Sequence, residues 1–516
     1  MSLIDLASLV LAPTATKEGK VYSAIPDTGE GDMTFTRGSA ATRVNSEGLI
    51  EKERGNLLLQ SNTFDTTWIK SNATILTLSA YAKAGTSNFL LLEVTRSGGV
   101  FYAWFDLSSG VVGTTSAIDA NIESVGNGWY RCSLIGNQTL SGQVRLRVAD
   151  SNGSTVTTTS SNIYIQDAML NQGLVSTDVI TTTTSAVYEG ITDDVPRVDY
   201  SGGGCPSLLL ESQRTNELPY SEYFGASSWL LDGGTQSITT NYAISPEGVQ
   251  NATRLQLNKT GVTYSRIYGD AGSLGQATIS VYMKSNTSET QNVGLRYDGT
   301  GINCEVTTEW QRFDLTATST SVSRFQILLF DSIAGNDETA DILIYGAMLE
   351  SSVTYASSYI PTYSVSSTRV ADFAIKSNAS NLIGQTEGTI FIEFTRENNS
   401  VGTFSISANN VGTRIYIGTN ESGLICQVRN GYAQQVYFST AQTEGTKYKC
   451  AIAYATNDFV LYMNGTQIGT DTSGTVPECN TIRTDDAGGA NLNQPLNQAI
   501  LFPTRLTNDQ LEELTK

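Results

Sequence analysis

The chain has 516 residues, a formal net charge of −19, 39% hydrophobic and 16% charged residues, and no histidine. That length exceeds what one hydrophobic core fills, and dispersed negative charge with no basic stripe argues against a nucleic-acid partner. Without histidine, imidazole triads and the commonest protein ligand for zinc and haem are absent.

The opening stretch MSLIDLASLVLAPTATKEGK has a short apolar run with no basic region ahead of it. The run is too short to cross a bilayer, so a non-secreted chain without membrane insertion is expected. SLIDLASLVLAP fits a short amphipathic helix that docks on a partner or a neighbouring copy. It fits equally a helix or strand packed on the first domain. Residues 1–56 are read as an attachment and connector segment.

Two connectors follow, at 33–64 and 188–224, and each carries a leucine triplet, LLLQSN (57–62) or LLLESQ (208–213). Each then runs through aromatics to a tryptophan, Trp68 or Trp229. Further on, GNGWYRCSL (126–134) is echoed by TEWQRFDL (308–315), and IYIQDAMLNQG (163–173) by ILIYGAMLESS (342–352). Order is kept while the spacing changes, which marks a duplicated domain with insertions in surface loops. Trp129 and Trp310 recur at matching places and are read as structural core.

Inside each copy the apolar period is two: TLSAYAKAG (77–85) matches TISVYMKSN (278–286), and GQVRLRVAD (142–150) matches SRFQILLFD (323–331). Short strands between Gly, Asn, Ser and Asp turns predict an all-β chain of tandem, jelly-roll-type β-sandwiches. The copies are placed at 57–180 and, with the second connector, at 181–372. Residues 373–516 form a third sandwich, with strands such as EGTIFIEFTRE (387–397) and a hairpin turn at Asn464-Gly465. Near the end, Thr507 and Gln510 are spaced as a capping box for a short helix.

Chemistry-bearing candidates are few. The six cysteines are read as buried free thiols, with a Cys426–Cys450 disulfide as the alternative. Carboxylate pairs such as Glu305 with Glu309, or Asp485 with Asp486, are expected by chance among 50 acids. No catalytic residue is assigned, and the chain is read as a non-enzyme. Asp193, Asp194, Asp298, Asp331, Asp337, Asp485 and Asp486 lie in turn contexts suited to structural calcium, the one cofactor left open. Sugar binding needs only flat aromatics beside polar groups, which FYAWFD (101–106), RIYGD (266–270) and GYAQQVYF (431–438) offer. Tyr102 and Trp104 share one strand face, with Phe101, Ala103 and Phe105 on the other. Tyr102, Trp104, Tyr432 and Tyr437 are taken as ligand-binding candidates.

The connector LVLAPTATKEGKVYSAIPDTGEGDMTFTRGSAATRVNSEGLIE resembles the beginning of tail-fibre and minor structural proteins of tailed bacteriophages. VPRVDYSGGGCPSLLLESQRTNELPYSEYF, leading to Trp229, is similar to the segment entering their carbohydrate-binding-module-like domains. The third region resembles concanavalin A/laminin-G-like sandwiches. Glucanases of that fold place acids on alternate strand residues, a pattern that TIFIEFTRE, with Glu393 and Glu397, does not show. The resemblance implies a virion protein: a tail fibre or receptor-binding component that contacts host-surface glycans and other virion proteins, the latter through its N-terminal segment. It implies a homo-oligomer, a trimer by analogy with fibres. A purely structural adaptor or head decoration protein is the alternative, and a polysaccharide depolymerase a third. Arg197, Glu211, Arg214 and Asn216 fall in the shared phrase, where Arg214 pairing with Glu211 would pin the connector to its sandwich. The first connector, EKERGNLLLQSN, keeps Asn56, Gln60 and Asn62 but has neither the PR nor the QRT.

Overall fold

The computed structural model describes residues 2–63, 68–70, 74–96, 99–138, 142–158, 160–489 and 491–516. Phe64, in the run towards Trp68, lies outside the described residues, and of Trp68 only the backbone is described. The chain forms two compact units. One comprises Met1–Lys52, Ile191–Arg214 and Thr368–Lys516; the other comprises Glu53–Gly190 and Thr215–Ser367. Both are built from antiparallel strands, in agreement with the all-β sandwich class expected from the period-two pattern.

The second unit holds the two repeats. In the first, Val111–Thr115, Gly99–Asp106, Phe89–Arg96, Gly142–Ala149 and Trp68–Lys70 form one sheet. Asp119–Gly126, Trp129–Gln138, Thr74–Ala84 and Ile163–Gln172 form the other. Alternate residues such as Leu78, Leu90, Phe105 and Leu134 meet between them in a closed core. In the second repeat, Trp229–Gly233, Tyr264–Asp270, Arg324–Phe330, Gln291–Tyr297 and Thr300–Val306 face Thr235–Ile244, Gln250–Asn258, Thr339–Ser351, Gln276–Ser285 and Gln311–Thr318. Its core includes Trp229, Leu255, Ile267, Ile279 and Phe325. Each such side chain contributes roughly 1.5–3 kcal/mol by leaving water.

A buried asparagine closes each repeat in the same way. Asn56 donates to the carbonyls of Ala168 (3.1 Å) and Ile180 (2.7 Å) and accepts from the amides of Leu58 and Leu170 (both 3.1 Å). Asn216 donates to Ala347 (3.1 Å) and Ile360 (2.9 Å) and accepts from Leu218 (3.2 Å) and Leu349 (3.1 Å). Ser61 with Thr182 and Ser221 with Thr362 repeat a second exchange of hydrogen bonds. These pairs carry the duplication more faithfully than the tryptophans. Trp129 and Trp310, expected in the cores, are half-buried and belong to neither core. Trp129 opens a strand beside the Asn127-Gly128 turn, where both residues have positive φ, and Trp310 lies just before a strand with its indole N–H on Ile244 O at 3.1 Å. Positions at strand ends lie at the rim, where the partner sheet no longer covers them.

The changing spacing also has a different cause from the one expected. Between Trp229–Gly233 and Gln276–Ser285 the second repeat inserts three strands, Thr235–Ile244, Gln250–Asn258 and Tyr264–Asp270. The first repeat passes almost directly from Trp68–Lys70 to Thr74–Ala84. Tyr264–Asp270 consequently lies between Trp229–Gly233 and Arg324–Phe330, whereas in the first repeat Trp68–Lys70 pairs straight with Gly142–Ala149. The insertion is sheet, not surface loop.

In the first unit, Leu3–Leu6 forms one 3-10 turn, and Leu9–Lys17 is a strand rather than part of an amphipathic helix. It pairs with Leu496–Phe502, placing Leu9 opposite Leu501. The alternation of Leu9 and Leu11 towards the main core, with Val10 on the other face, is a strand pattern that the short apolar run disguised. Asn464 and Gly465 turn the hairpin between Asp458–Met463 and Thr466–Asp471 with φ of 47° and 75°. Thr507 Oγ1 accepts from the Gln510 amide at 3.3 Å, starting the helix Asn508–Thr515, whose Leu511 packs with Val460 and Phe502.

The connector residues build a buried ionic hub in this unit. Asp372 pairs with Arg37 at 3.1 Å and with Arg197, and also accepts from the Glu211 amide at 3.0 Å. Glu211 pairs with Arg197 at 2.6 Å and Arg369 at 3.0 Å. Arg214 is half-buried and donates to Gln213 O at 3.0 Å.

All six thiols are free; Cys132, Cys304, Cys426, Cys450 and Cys479 are buried, whereas Cys205, after Gly202-Gly203-Gly204, is exposed. Burial pushes the Cys304 and Cys479 thiols up to about 12, which removes the reactive thiolate. A brief maleimide treatment of the native protein is expected to add one label, at Cys205, and six after denaturation. Peptide mapping checks this; prompt labelling of any buried cysteine in the native chain contradicts it.

Candidate functional site

The phrase TYSRIYGD alternates strictly. Ser265 and Ile267 point into the second repeat's core, and Tyr264, Arg266, Tyr268 and Asp270 point outward. Gly269 is inward because a Cβ there would come within 3.2 Å of the Trp229 ring, so the glycine admits the core tryptophan. Neighbouring strands add Arg324, Gln326, Leu328 and Phe330 on the same outer face, then Arg296. In register, Tyr268 stands opposite Gln326, and Gln326 opposite Arg296.

Guanidinium groups and rings interleave across this face. Arg266 lies 4.7 Å from the Tyr268 centroid and 5.0 Å from that of Tyr264. Arg324 lies 5.3 Å from Tyr268, and Arg296 lies 5.1 Å from Phe330. Tyr264 and Phe330 meet edge to face with centroids 6.2 Å apart. Arg266 is held by Asp232 at 2.6 Å and by Gln326 at 2.9 Å, and the Tyr264 hydroxyl also donates to Asp232 at 3.1 Å. Gln326 donates to Asp298 O at 3.2 Å, and Arg324 to Asp270 at 2.8 Å. Each stacked cation stabilises the array by about 0.5–2 kcal/mol. Gln326 is buried, so its amide braces the array from beneath. The result is a semi-rigid platform whose rings can lie against apolar ring faces while guanidinium groups address hydroxyls or anions.

Hydrogen bonding from Arg266 holds the Asp232 carboxyl below the usual carboxylate range, with Tyr264 assisting and burial opposing. Asp341 is lowered chiefly by Arg254, which pairs with it at 2.5 Å. A lowered folded pKa adds stability above the ordinary value of 3.8, and that stability is lost as pH falls through the lowered value. The second repeat should therefore melt at a lower temperature at about pH 2.5 than at about pH 5. Equal melting temperatures would contradict the ion pairing.

A concavity of about 410 Å³ in the same repeat is lined by Gln236, Gln256 and Asp341 of the other sheet, by Gln291 at the start of Gln291–Tyr297, and by neighbouring threonines. Its lining is amide-rich.

The ligand candidates read from the sequence fall elsewhere. Tyr102 and Trp104 do share the outer face, 4.9 Å apart edge to face. Trp104, however, is only 6% exposed, packs with Leu91 and Ala149, and donates its indole N–H to Ser154 O at 2.9 Å. It is a packing residue, which corrects its reading as a ligand platform; Tyr102 stands half-buried beside it. Tyr432, 71% exposed, occupies a hairpin turn at φ 69° with its ring over Gly412. Tyr437 lies along the same hairpin opposite Gln427, with Tyr416 one strand further and Arg414 4.8 Å from the Tyr416 ring.

Six of the seven acidic candidates take protein donors. Asp194 accepts from the Arg37 amide (2.7 Å), Asp337 from the Asn292 amide (2.6 Å) and Asp298 from Ser319 (3.0 Å). Asp331 pairs with Lys259, Asp485 with Arg483 and Asp486 with Arg414. Among the described residues no three His, Cys, Asp or Glu side chains gather as a metal site. Glu305 and Glu309 are exposed. The buried carboxylates Glu222 and Glu247, which the sequence did not single out, face the Tyr345 and Tyr359 hydroxyls, and burial first, then these carboxylates, pushes both phenols well up.

No family model and no curated protein matches the chain. Among solved structures it is similar to a CBM22-1–CBM22-2 tandem domain of Paenibacillus barcinonensis Xyn10C, at 10% identity over 66% of this chain and 93% of that one, TM-score 0.19. It is also similar to the LG1–3 region of the laminin α2 chain, at 11% identity over 87% and 95%, TM-score 0.19. A third is Trypanosoma rangeli sialidase with the inhibitor DANA, at 10% identity over 93% and 98%, TM-score 0.23. The sandwich class rests on strand pairing; scores this low add no argument to it. The expectation of a non-enzyme is corrected here: with a sialidase among the similar structures it is withdrawn, although a TM-score of 0.23 gives no ground for assigning that activity.

Proposed function

We propose that the chain is a bacteriophage virion protein displayed on the particle, whose second repeat contacts host-surface glycans. The observation that carries the glycan reading is the outer face of Tyr264, Arg266, Tyr268, Arg296 and Arg324, where rings and hydrogen-bonding groups lie on one side of the sheet. Such a face binds sugars by stacking on ring C–H groups and bonding to hydroxyls. Single contacts of this kind are modest, and several copies on one particle would raise them through avidity. The virion placement, the homo-oligomer and the attachment role of the N-terminal segment rest on the resemblance of the two connectors to phage proteins. Incubating the purified protein with host cells and their isolated surface polysaccharide tests the glycan half: saturable binding supports it, and none overturns it. Electron cryomicroscopy of the particle tests the placement. Repeats buried wholly between other subunits would favour a structural adaptor.

A further inference from the structure

On the glycan reading just proposed, we infer that the platform selects acidic sugars, with Arg296 as the receptor for a sugar carboxylate. Of the three arginines on this face, two have their anions already: Asp232 for Arg266 and Asp270 for Arg324. Arg296 makes no hydrogen bond or ion pair with any described residue, and its guanidinium lies 5.1 Å from the Phe330 ring centroid. Its stem is seated by design of the neighbouring strand. Arg296 stands opposite Gly301, where a Cβ would come within 2.8 Å of Ile333 Cδ1 and 3.3 Å of the Arg296 Cβ and Cγ, so the glycine gives the stem room.

The surroundings favour an anion at this point. Arg296 is half-buried, and burial together with the charge of Arg266 lowers its guanidinium, with Asp298 opposing. A guanidinium partly withdrawn from water, beside a second guanidinium and with no anion bonded to it, gains when an anion arrives. Its planar fork matches a carboxylate in two parallel bonds. Gln326, opposite it in register, is buried and bonded to Arg266 and Asp298 O, and Tyr268 beyond offers a ring to the same sugar. An otherwise strongly acidic chain, with net charge −19, would repel acidic polysaccharide. A guanidinium without an anion bonded to it, as Arg296 is, is therefore what such a ligand would need. Counting from the shared phrases TLSAYAKAG and TISVYMKSN, the first repeat has Thr95 at this place. Thr95 bonds to Gln143, and the first repeat also lacks the Tyr264–Asp270 strand, so the acidic specificity belongs to the second repeat alone.

The test uses the full chain on three immobilised supports: a hexuronate polysaccharide, the same polysaccharide with its carboxyls reduced to alcohols, and a glycerol-phosphate polymer. Native protein should bind the hexuronate roughly 10–100-fold more tightly than the reduced form, with affinity falling as salt is raised. R296Q should bring the two affinities together, whereas K447Q, which removes one positive charge from the other unit, should leave the ratio unchanged. R296K keeps the charge without the fork and should fall between; it decides the matter if R296Q melts early. Equal binding of native protein to hexuronate and reduced polymer overturns the carboxylate receptor while leaving the glycan reading in place. Retention on the phosphate polymer alone also overturns it. No binding to any sugar support overturns both.

Discussion

Alanine in place of Asp372 is expected to destabilise the unit containing it by about 3–5 kcal/mol, the range for removing one partner from a buried ionic network. The side chains of Arg37, Arg197 and Asp372 have no exposure, so water cannot take over the missing carboxylate. Arg37 would keep only the carbonyls of Ser39, Thr192 and Val195. Its guanidinium is already lowered by burial, with Asp372 opposing. Burial acts on Arg197 too, but Asp372 and Glu211 together raise it, which shows how far that cation depends on its two anions. Asp372→Asn, which keeps the shape, should destabilise less but still measurably. Chemical denaturation of the full chain, followed by a probe in residues 368–516, measures the loss. A change below about 1 kcal/mol for Asp372→Ala would mean that the hub does not hold the connectors in place.

Asn216→Ala comes second, at about 2–4 kcal/mol, because it leaves two carbonyls and two amides of the second repeat without their partner in a site with no exposure. Hydrogen exchange localises the effect. Peptides containing Leu218 and Leu349 should exchange roughly 30–1,000-fold faster, while those containing Leu58 and Leu170 keep their native rate. Asn56→Ala should give the mirror result in the first repeat. Fast exchange spread evenly over both repeats would show that the two asparagines do not act locally.

These asparagines show what can be read from a chain and what cannot. Asn56 and Asn216 stand in the connector phrases in plain view, yet nothing in the phrase says that the side chain reaches carbonyls more than a hundred residues away. The period-two strands were legible because alternation is local, and RIYGD put Arg266 and Tyr268 on one face for the same reason. Arg296 and Gln326 were not legible as their neighbours, since register between strands is set by pairing and leaves no mark in either strand. Trp129 and Trp310 misled because recurrence was taken for depth, when a residue at a strand end can recur and still lie at the rim. The three inserted strands were hidden for a related reason: a changed interval between landmarks does not say whether the extra residues are loop or sheet.

The pairing of Leu9–Lys17 with Leu496–Phe502 also sets a timetable. A ribosome adding about 5–20 residues per second needs roughly 25–100 s between making these two strands. The repeats, each drawn from a shorter stretch of chain, have all their strands long before that. Leu9–Lys17 can pair at once with Lys20–Ile25, but the first unit must keep its other edge open and half of its ionic hub waiting until the last part of the chain emerges. Nascent chains stalled before Leu496 should therefore present folded repeats and an open N-terminal edge, the form in which this molecule would be most exposed to proteases and to pairing with the wrong neighbour.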